Sequence, residues 1–273
     1  MMRSLWTAAS GMTNQMLQID NIANNLSNVN TTGFKRERVD FQTLLYTTMR
    51  RADLDPVNMT GRPVNLQVGH GVRASGTTRL FEQGPLQTTG LATDFAIEGR
   101  GFFEVRRNFD EFVFTRDGTF SFMPLDDDSL MLTTSSGYPV MDIDGAEIII
   151  PPGISASDVV ISDMGEVSIL DFDGTVVPLG FIIRIVQFPN PQGLEAIGGN
   201  LYTQTVASGI PLFEIEGETG TLSRIRQGFL EMSNVSVAGE MISMITAQRA
   251  FDLNSRAITT SDEMLQTANS LKR

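Results

Sequence analysis

The chain has 273 residues, 41% of them hydrophobic, with 20 Lys and Arg against 32 Asp and Glu, one histidine and no cysteine. That length and apolar content suit one large or two modest domains and exclude a wholly disordered chain. The acid excess argues against nucleic acid as a partner, and the missing thiols exclude disulfides, thiolate zinc sites and cysteine nucleophiles.

No run of about 18 apolar residues occurs, so no membrane insertion is expected. The opening ten residues are followed by Gly11, Thr13, Asn14 and Gln15, which break up the continuous apolar stretch of a cleaved signal peptide. Export, if it occurs, is expected by a route without one. Charge is unevenly spread: residues 1–50 are net +2, residues 226–273 net 0, and residues 51–225 net −14. The near-neutral ends are therefore free to associate closely.

In chain order, the first predicted element is a helix. Leu5, Ala9, Met12, Met16, Ile19, Ala23 and Leu26 are spaced 4-3-4-3-4-3, a narrow heptad seam. It is expected to end within 27–33, where Asn28, Asn30, Thr31, Thr32 and Gly33 cluster. Residues 34–63 read as an extended or hairpin connector. From 64 to 223 the period is two: runs at 95–98, 102–105, 112–115, 119–122, 159–161, 167–170 and 181–186 have the β-branched and aromatic make-up of strands. Asp117-Gly118, Ser136-Gly137, Asp144-Gly145 and Asp173-Gly174 read as hairpin turns between them. The pattern predicts a central antiparallel all-β domain, followed by a second connector at 224–236. A long helix is then expected over 237–271. Val237, Met244, Phe251, Ile258 and Leu265 recur every seven residues, Met241 and Ile245 widen the stripe, and Gln248, Ser255, Asp262 and Asn269 weaken its second seam position.

Amide and hydroxyl groups such as Asn21, Asn24, Asn25, Gln248 and Asn254 cover much of the remaining helix faces. Such faces can be buried when hydrogen-bonded, whereas Lys and Glu faces resist it. Narrow seams of seven-residue period at opposite termini favour bundling between chains over a monomeric core.

No catalytic, cofactor or metal constellation emerges. Asp171-Phe172-Asp173-Gly174 and Asp142-Ile143-Asp144-Gly145 resemble calcium-loop openings, but their twelfth positions are Ile182 and Gly153 rather than the required Glu. Asp126-Asp127-Asp128 reads as an exposed acidic loop, and His70 lacks a partner pattern that would make it a base. Carboxylate pairs are available everywhere in so acidic a chain, so their presence selects nothing.

Residues 1–35, MMRSLWTAASGMTNQMLQIDNIANNLSNVNTTGFK, contain Ser-Gly-Met, Ile-Ala-Asn-Asn-Leu and Asn-x-Thr-Gly-Phe-Lys elements that resemble the N-terminal motif of bacterial flagellar rod and hook proteins. Residues 226–273, with GFLEMSNVSVAGEM and AQRAFDLNSRAI, resemble the paired C-terminal motif. Both ends matching in one chain is far more specific than either. FTRDGTFSF at 114–122, GGNLYTQTVASG at 198–209 and LEMSNV at 230–235 are most similar to distal rod members.

The resemblance implies an α+β, non-enzymatic, self-assembling subunit without cofactor, stacked helically into a torque-transmitting rod that crosses the periplasm. The implied layers are residues 1–33 with 237–273 as an inner coiled coil, 34–63 with 224–236 as connector, and 64–223 as outer β domain. The implied partners are further copies of the chain, proximal rod and hook proteins, the surrounding ring or bushing, a rod cap and the type III export machinery. Residues 46–63 correspond to an insertion that resembles a stiffening hairpin, departing in detail at 50–56. The alternatives are a proximal rod or hook subunit, or a secreted peptidoglycan-acting enzyme with a helical stalk.

Overall fold

A computed structural model gives the fold and describes residues 2–54, 61–62, 64–108, 111–170, 175–214 and 222–271. Terminal helices flank a central antiparallel β-rich region, in two compact units. The first comprises Met1–Ser27, Glu37–Thr78 and Ser236–Arg273; the second comprises Asn28–Arg36 and Arg79–Val235.

In the first unit α1 (Met2–Ser27) and α2 (Val237–Ser270) lie against each other. Ser236 caps α2 by accepting the Gly239 N–H at 3.4 Å, and Glu240 places a negative charge in the first turn, where the helix dipole favours it. Gly11 lets the helices approach: a Cβ there would lie 2.8 Å from Asn254 Nδ2.

The rest of this unit is a ribbon of nested strand pairs. Glu37–Thr43 pairs with Val72–Arg79, Tyr46–Arg50 with Leu66–Gly69, and Asp53–Leu54 with Gly61–Arg62. Amides of α1 fasten the ribbon. Asn25 Nδ2 donates to the Glu37 carbonyl at 2.8 Å and its Oδ1 accepts the Glu37 N–H at 3.0 Å, while Asn14 donates to the Val72 carbonyl at 2.9 Å. Asn25, one of the amides read as polar face, thus pairs with strand backbone, and Asn14 does the same.

The second unit is built on a six-stranded antiparallel sheet in the order Glu195–Gly198, Leu201–Thr203, Glu111–Thr115, Phe102–Asn108, Ile185–Gln187, Leu212–Phe213. Two three-stranded sheets accompany it: Phe120–Pro124 with Leu130–Thr134 and Ile149–Ile150, and Val159–Ile161 with Glu166–Leu170 and Val176–Ile182. Phe103, Val113 and Leu132 from these sheets pack with Phe95, Ile148 and Ile183 in one core. A second cluster joins Phe102, Phe114, Val186, Phe188 and Tyr202, with edge-on rings such as Phe114 against Phe188 at 4.8 Å.

The units divide the chain elsewhere than the three sequence-based parts. Residues 64–78 join the helices because the ribbon strand Val72–Arg79 pairs back to Glu37–Thr43. Residues 224–235 lie in the β unit because Arg224–Gln227 pairs with Phe95–Glu98 and Phe229–Glu231 with Leu86–Thr88.

Two local expectations are corrected. The run 181–186 is split between sheets: the chain leaves Val176–Ile182 and enters Ile185–Gln187 through Arg184, whose guanidinium is held by Glu104 at 3.1 Å and the Ile143 carbonyl at 2.5 Å. Asp117-Gly118 is a crossover, since the strands on either side belong to different sheets. The Asp117 carboxylate accepts from Thr119 at 2.7 Å and Thr32 at 2.9 Å, and a Cβ at Gly118 would meet the Phe95 carbonyl oxygen. Ser136-Gly137 and Asp144-Gly145 are tight turns as expected, each glycine at positive φ. Asp173-Gly174, with the rest of residues 171–174, falls outside the described residues.

Candidate assembly surface on the terminal helices

Two different faces of each terminal helix are apolar. On α1 the side turned into its own unit holds Leu5, Ala8, Met12, Gln15, Ile19, Ile22 and Leu26, buried or half-buried at heptad spacing. On α2 the corresponding line is Glu240, Met244, Ala247, Phe251, Asn254, Ile258, Ser261 and Leu265. Its second seam position therefore lies three residues after each of Met244, Phe251 and Ile258, not four, and is occupied by small or amide side chains. A large residue there would hold the helices apart.

Of the seam residues picked from sequence, Leu5, Met12, Ile19, Leu26, Met244, Phe251, Ile258 and Leu265 are half-buried within the chain, whereas Ala9, Met16, Ala23, Val237 and Met241 are exposed. The exposed face also contains Ile245, which sequence placed beside the seam, and Trp6, Leu17, Ile242, Leu253 and Met264, which it did not. Ile242, Leu253 and Met264 recur at eleven residues, a period that a heptad search passes over. Trp6 is 75% exposed and Leu253 66%, and large apolar side chains left in water along a helix mark it as a candidate interaction face.

The motif residues outside the helices close the β unit through a fully buried charge cluster. Lys35 Nζ contacts Glu231 Oε1 at 2.6 Å and donates to the Glu82 carbonyl at 2.7 Å; Arg116 reaches the other Glu231 oxygen at 3.2 Å. Glu231 also accepts the Gly84 N–H at 2.8 Å. Burial lowers the pKa of both Lys35 and Arg116, opposed by the Glu231 charge. Beside it, Asn234 accepts the Arg36 N–H at 2.7 Å and donates to the Leu80 carbonyl at 2.9 Å. Gly33, at φ +67°, passes so close to Arg116 and Asp117 that no side chain fits there. Sequence reasoning missed this cluster: Lys35 is the one lysine of the first motif, but Glu231 is one of three glutamates in 226–273, and nothing in their spacing pairs them.

Among the described residues, no group of three or more His, Asp and Glu is placed to hold a metal ion. Asp142 is engaged by the Ile182 N–H at 2.5 Å, and His70 Nε2 is hydrogen-bonded to Thr47 at 2.6 Å. No described helix is long and apolar enough to cross a membrane.

The family comparisons identify the class of protein to which these helices and this β unit belong. Residues 5–35 match the model described as flagella basal body rod protein, residues 96–169 the flagellar hook protein FlgE/F/G D1 domain, and residues 226–271 the flagellar basal body rod FlgEFG protein C-terminal. The chain is 49% identical to the flagellar basal-body rod protein FlgG of Borreliella burgdorferi over 100% of both chains, and 38% identical to that of Bacillus subtilis, again over 100% of both. It is 39% identical to the Caulobacter vibrioides FlgG over 99% of this chain and 100% of the relative. The chain belongs to the flagellar basal-body rod protein family that these relatives represent. It is a structural rod protein of the basal body that polymerises with itself, and not an enzyme.

Proposed function

We propose that the chain builds the distal rod, the shaft that crosses the periplasm and passes torque from motor to hook. The exposed faces of α1 and α2 pack against those of neighbouring copies in an inner tube of coiled-coil helices. The sequence-derived residues Ala9, Met16, Ala23, Val237 and Met241 lie on the contact between copies, and Leu5, Met12, Ile19, Leu26, Met244, Phe251, Ile258 and Leu265 support it from within the chain.

The partners that follow are proximal rod and hook proteins at the two ends, a surrounding ring or bushing, a rod cap and the type III export machinery. The single observation that supports this most is the second apolar face on both helices, which the chain leaves uncovered. Electron microscopy of filaments assembled from purified protein is the test. A helical tube with α-helices lining its wall is expected, and filaments built from β units with the helices outside would overturn the reading.

A further inference from the structure

The chain has 14 methionines and no cysteine, so thioethers are its only sulfur. Oxidants that a reactive thiol would otherwise intercept therefore fall on methionine.

The fold sorts these side chains. Met131 and Met141 are buried in the β unit, whereas Met16 of α1 and Met241 and Met264 of α2 each leave about half of their surface in water on the exposed helix faces. Met241 and Met264 are 23 residues apart, about 35 Å of helix at 1.5 Å per residue, so sulfur is present along most of α2. Their apolar neighbours on these faces, Leu17, Ile242, Ile245 and Leu253, are hydrocarbon that a peroxide leaves unchanged.

Charge provides little else to hold such faces together. The helix-and-ribbon unit contains ten basic and nine acidic residues, net +1, against ten basic and 23 acidic, net −13, for the β unit. Attraction between near-neutral helix faces is apolar rather than ionic. An uncharged polar group set into each face is therefore enough to weaken it, because assembly would strip that group of water without giving it a partner.

We propose that Met16, Met241 and Met264 are a modification site for hydrogen peroxide, and that their oxidation keeps a free subunit out of the polymer. The sulfur lone pair attacks one peroxide oxygen, the O–O bond breaks, and the departing hydroxide takes the proton from the transferred oxygen to leave as water. Sulfur is oxidised by two electrons and the peroxide is reduced by two. A polar sulfoxide replaces a flexible apolar thioether, and methionine sulfoxide reductases specific for the two epimers reverse the change. This role rests on the reading of the exposed helix faces as the contact between copies. Once a face is covered its sulfurs are shielded, so the formed polymer resists the oxidant that stops its growth.

Free subunits and finished filaments, each treated with hydrogen peroxide, can be compared by peptide mass spectrometry and light scattering. In free subunits Met16, Met241 and Met264 are expected to gain one oxygen each while Met131 and Met141 gain none, and the concentration needed for assembly should rise about tenfold. Treatment with both reductases should restore it. Met241→Gln, a polar side chain of similar length, should raise that concentration without any oxidant. The triple variant Met16→Leu, Met241→Leu, Met264→Leu is expected to assemble equally well before and after peroxide, although its exposed Met49, Met123 and Met164 still oxidise. Loss of assembly in the oxidised triple variant, or unchanged assembly of the oxidised wild-type chain, would overturn the proposal and leave the helical-face reading standing. Filaments in which the three methionines oxidise as readily as in free subunits would overturn the helical-face reading and this site with it.

Discussion

Glu231 is the residue on which the β unit depends most, because two buried cations share its carboxylate. Glu231→Ala strands both and is expected to cost about 3–5 kcal/mol, whereas Lys35→Met leaves Arg116 paired and should cost less. Urea unfolding of the two variants, followed by circular dichroism, checks the order. Glu104 gives a pH signature. Burial raises its pKa above 4.5, opposed by Arg184, so the folded chain holds this proton more tightly than the unfolded one. Its contribution is fully present below pH 4.5 and is lost as pH rises through the raised value. The stability of Glu104→Gln relative to wild type should therefore improve with rising pH across that window, as melting temperatures at a series of pH values would reveal. None of these roles was legible beforehand. Lys, Arg and Glu are ordinarily solvated, and the fold brings Lys35, Arg116 and Glu231 together from three distant parts of the chain.

At the scale of elements, more was readable. The runs at 95–98, 102–105 and 159–161 are strands where alternation and β-branching place them. Helix α2 starts at Val237 as expected because Ser236 caps it, and it ends within a residue of expectation. What escaped was partner choice: the run 181–186 has uniform strand character, and long-range contacts of Ile182, Ile183 and Arg184 hold the point where it changes sheet. The α2 seam escaped for a similar reason, since Glu240, Ala247, Asn254 and Ser261 do not look like a buried line until Gly11 is seen against Asn254. The two faces of α2 make separable predictions. Leu253→Asp alters only the exposed face and should abolish filament assembly and motility while leaving the melting of the isolated subunit unchanged. Ala247→Asp buries an unpaired carboxylate and should lower both. A motile Leu253→Asp strain would refute the assignment of the outer face.

For the whole molecule, charge is the dominant asymmetry. Copies whose β units are each net −13 repel one another when gathered around a narrow axis, and salt screens that field over about 10 Å at 0.1 M. Rising salt should therefore promote filament growth, as should lowering the pH towards the sequence pI of about 4.5 until solubility fails. Light scattering across a salt series decides it, and steady weakening would mean that ion pairs between copies outweigh repulsion. The buried contact between Lys35 and Glu231 spans 196 positions and so also imposes a schedule. A chain that emerges N-terminus first presents Lys35 and Arg116 long before their shared carboxylate exists. The strand Phe229–Glu231, which brings that carboxylate, is also the one that pairs with Leu86–Thr88. The β unit thus has no stable partial form in which both cations are buried and neutralised. A chain stopped at residue 223 should stay protease-sensitive, and one continued to residue 236 should become resistant in a single step.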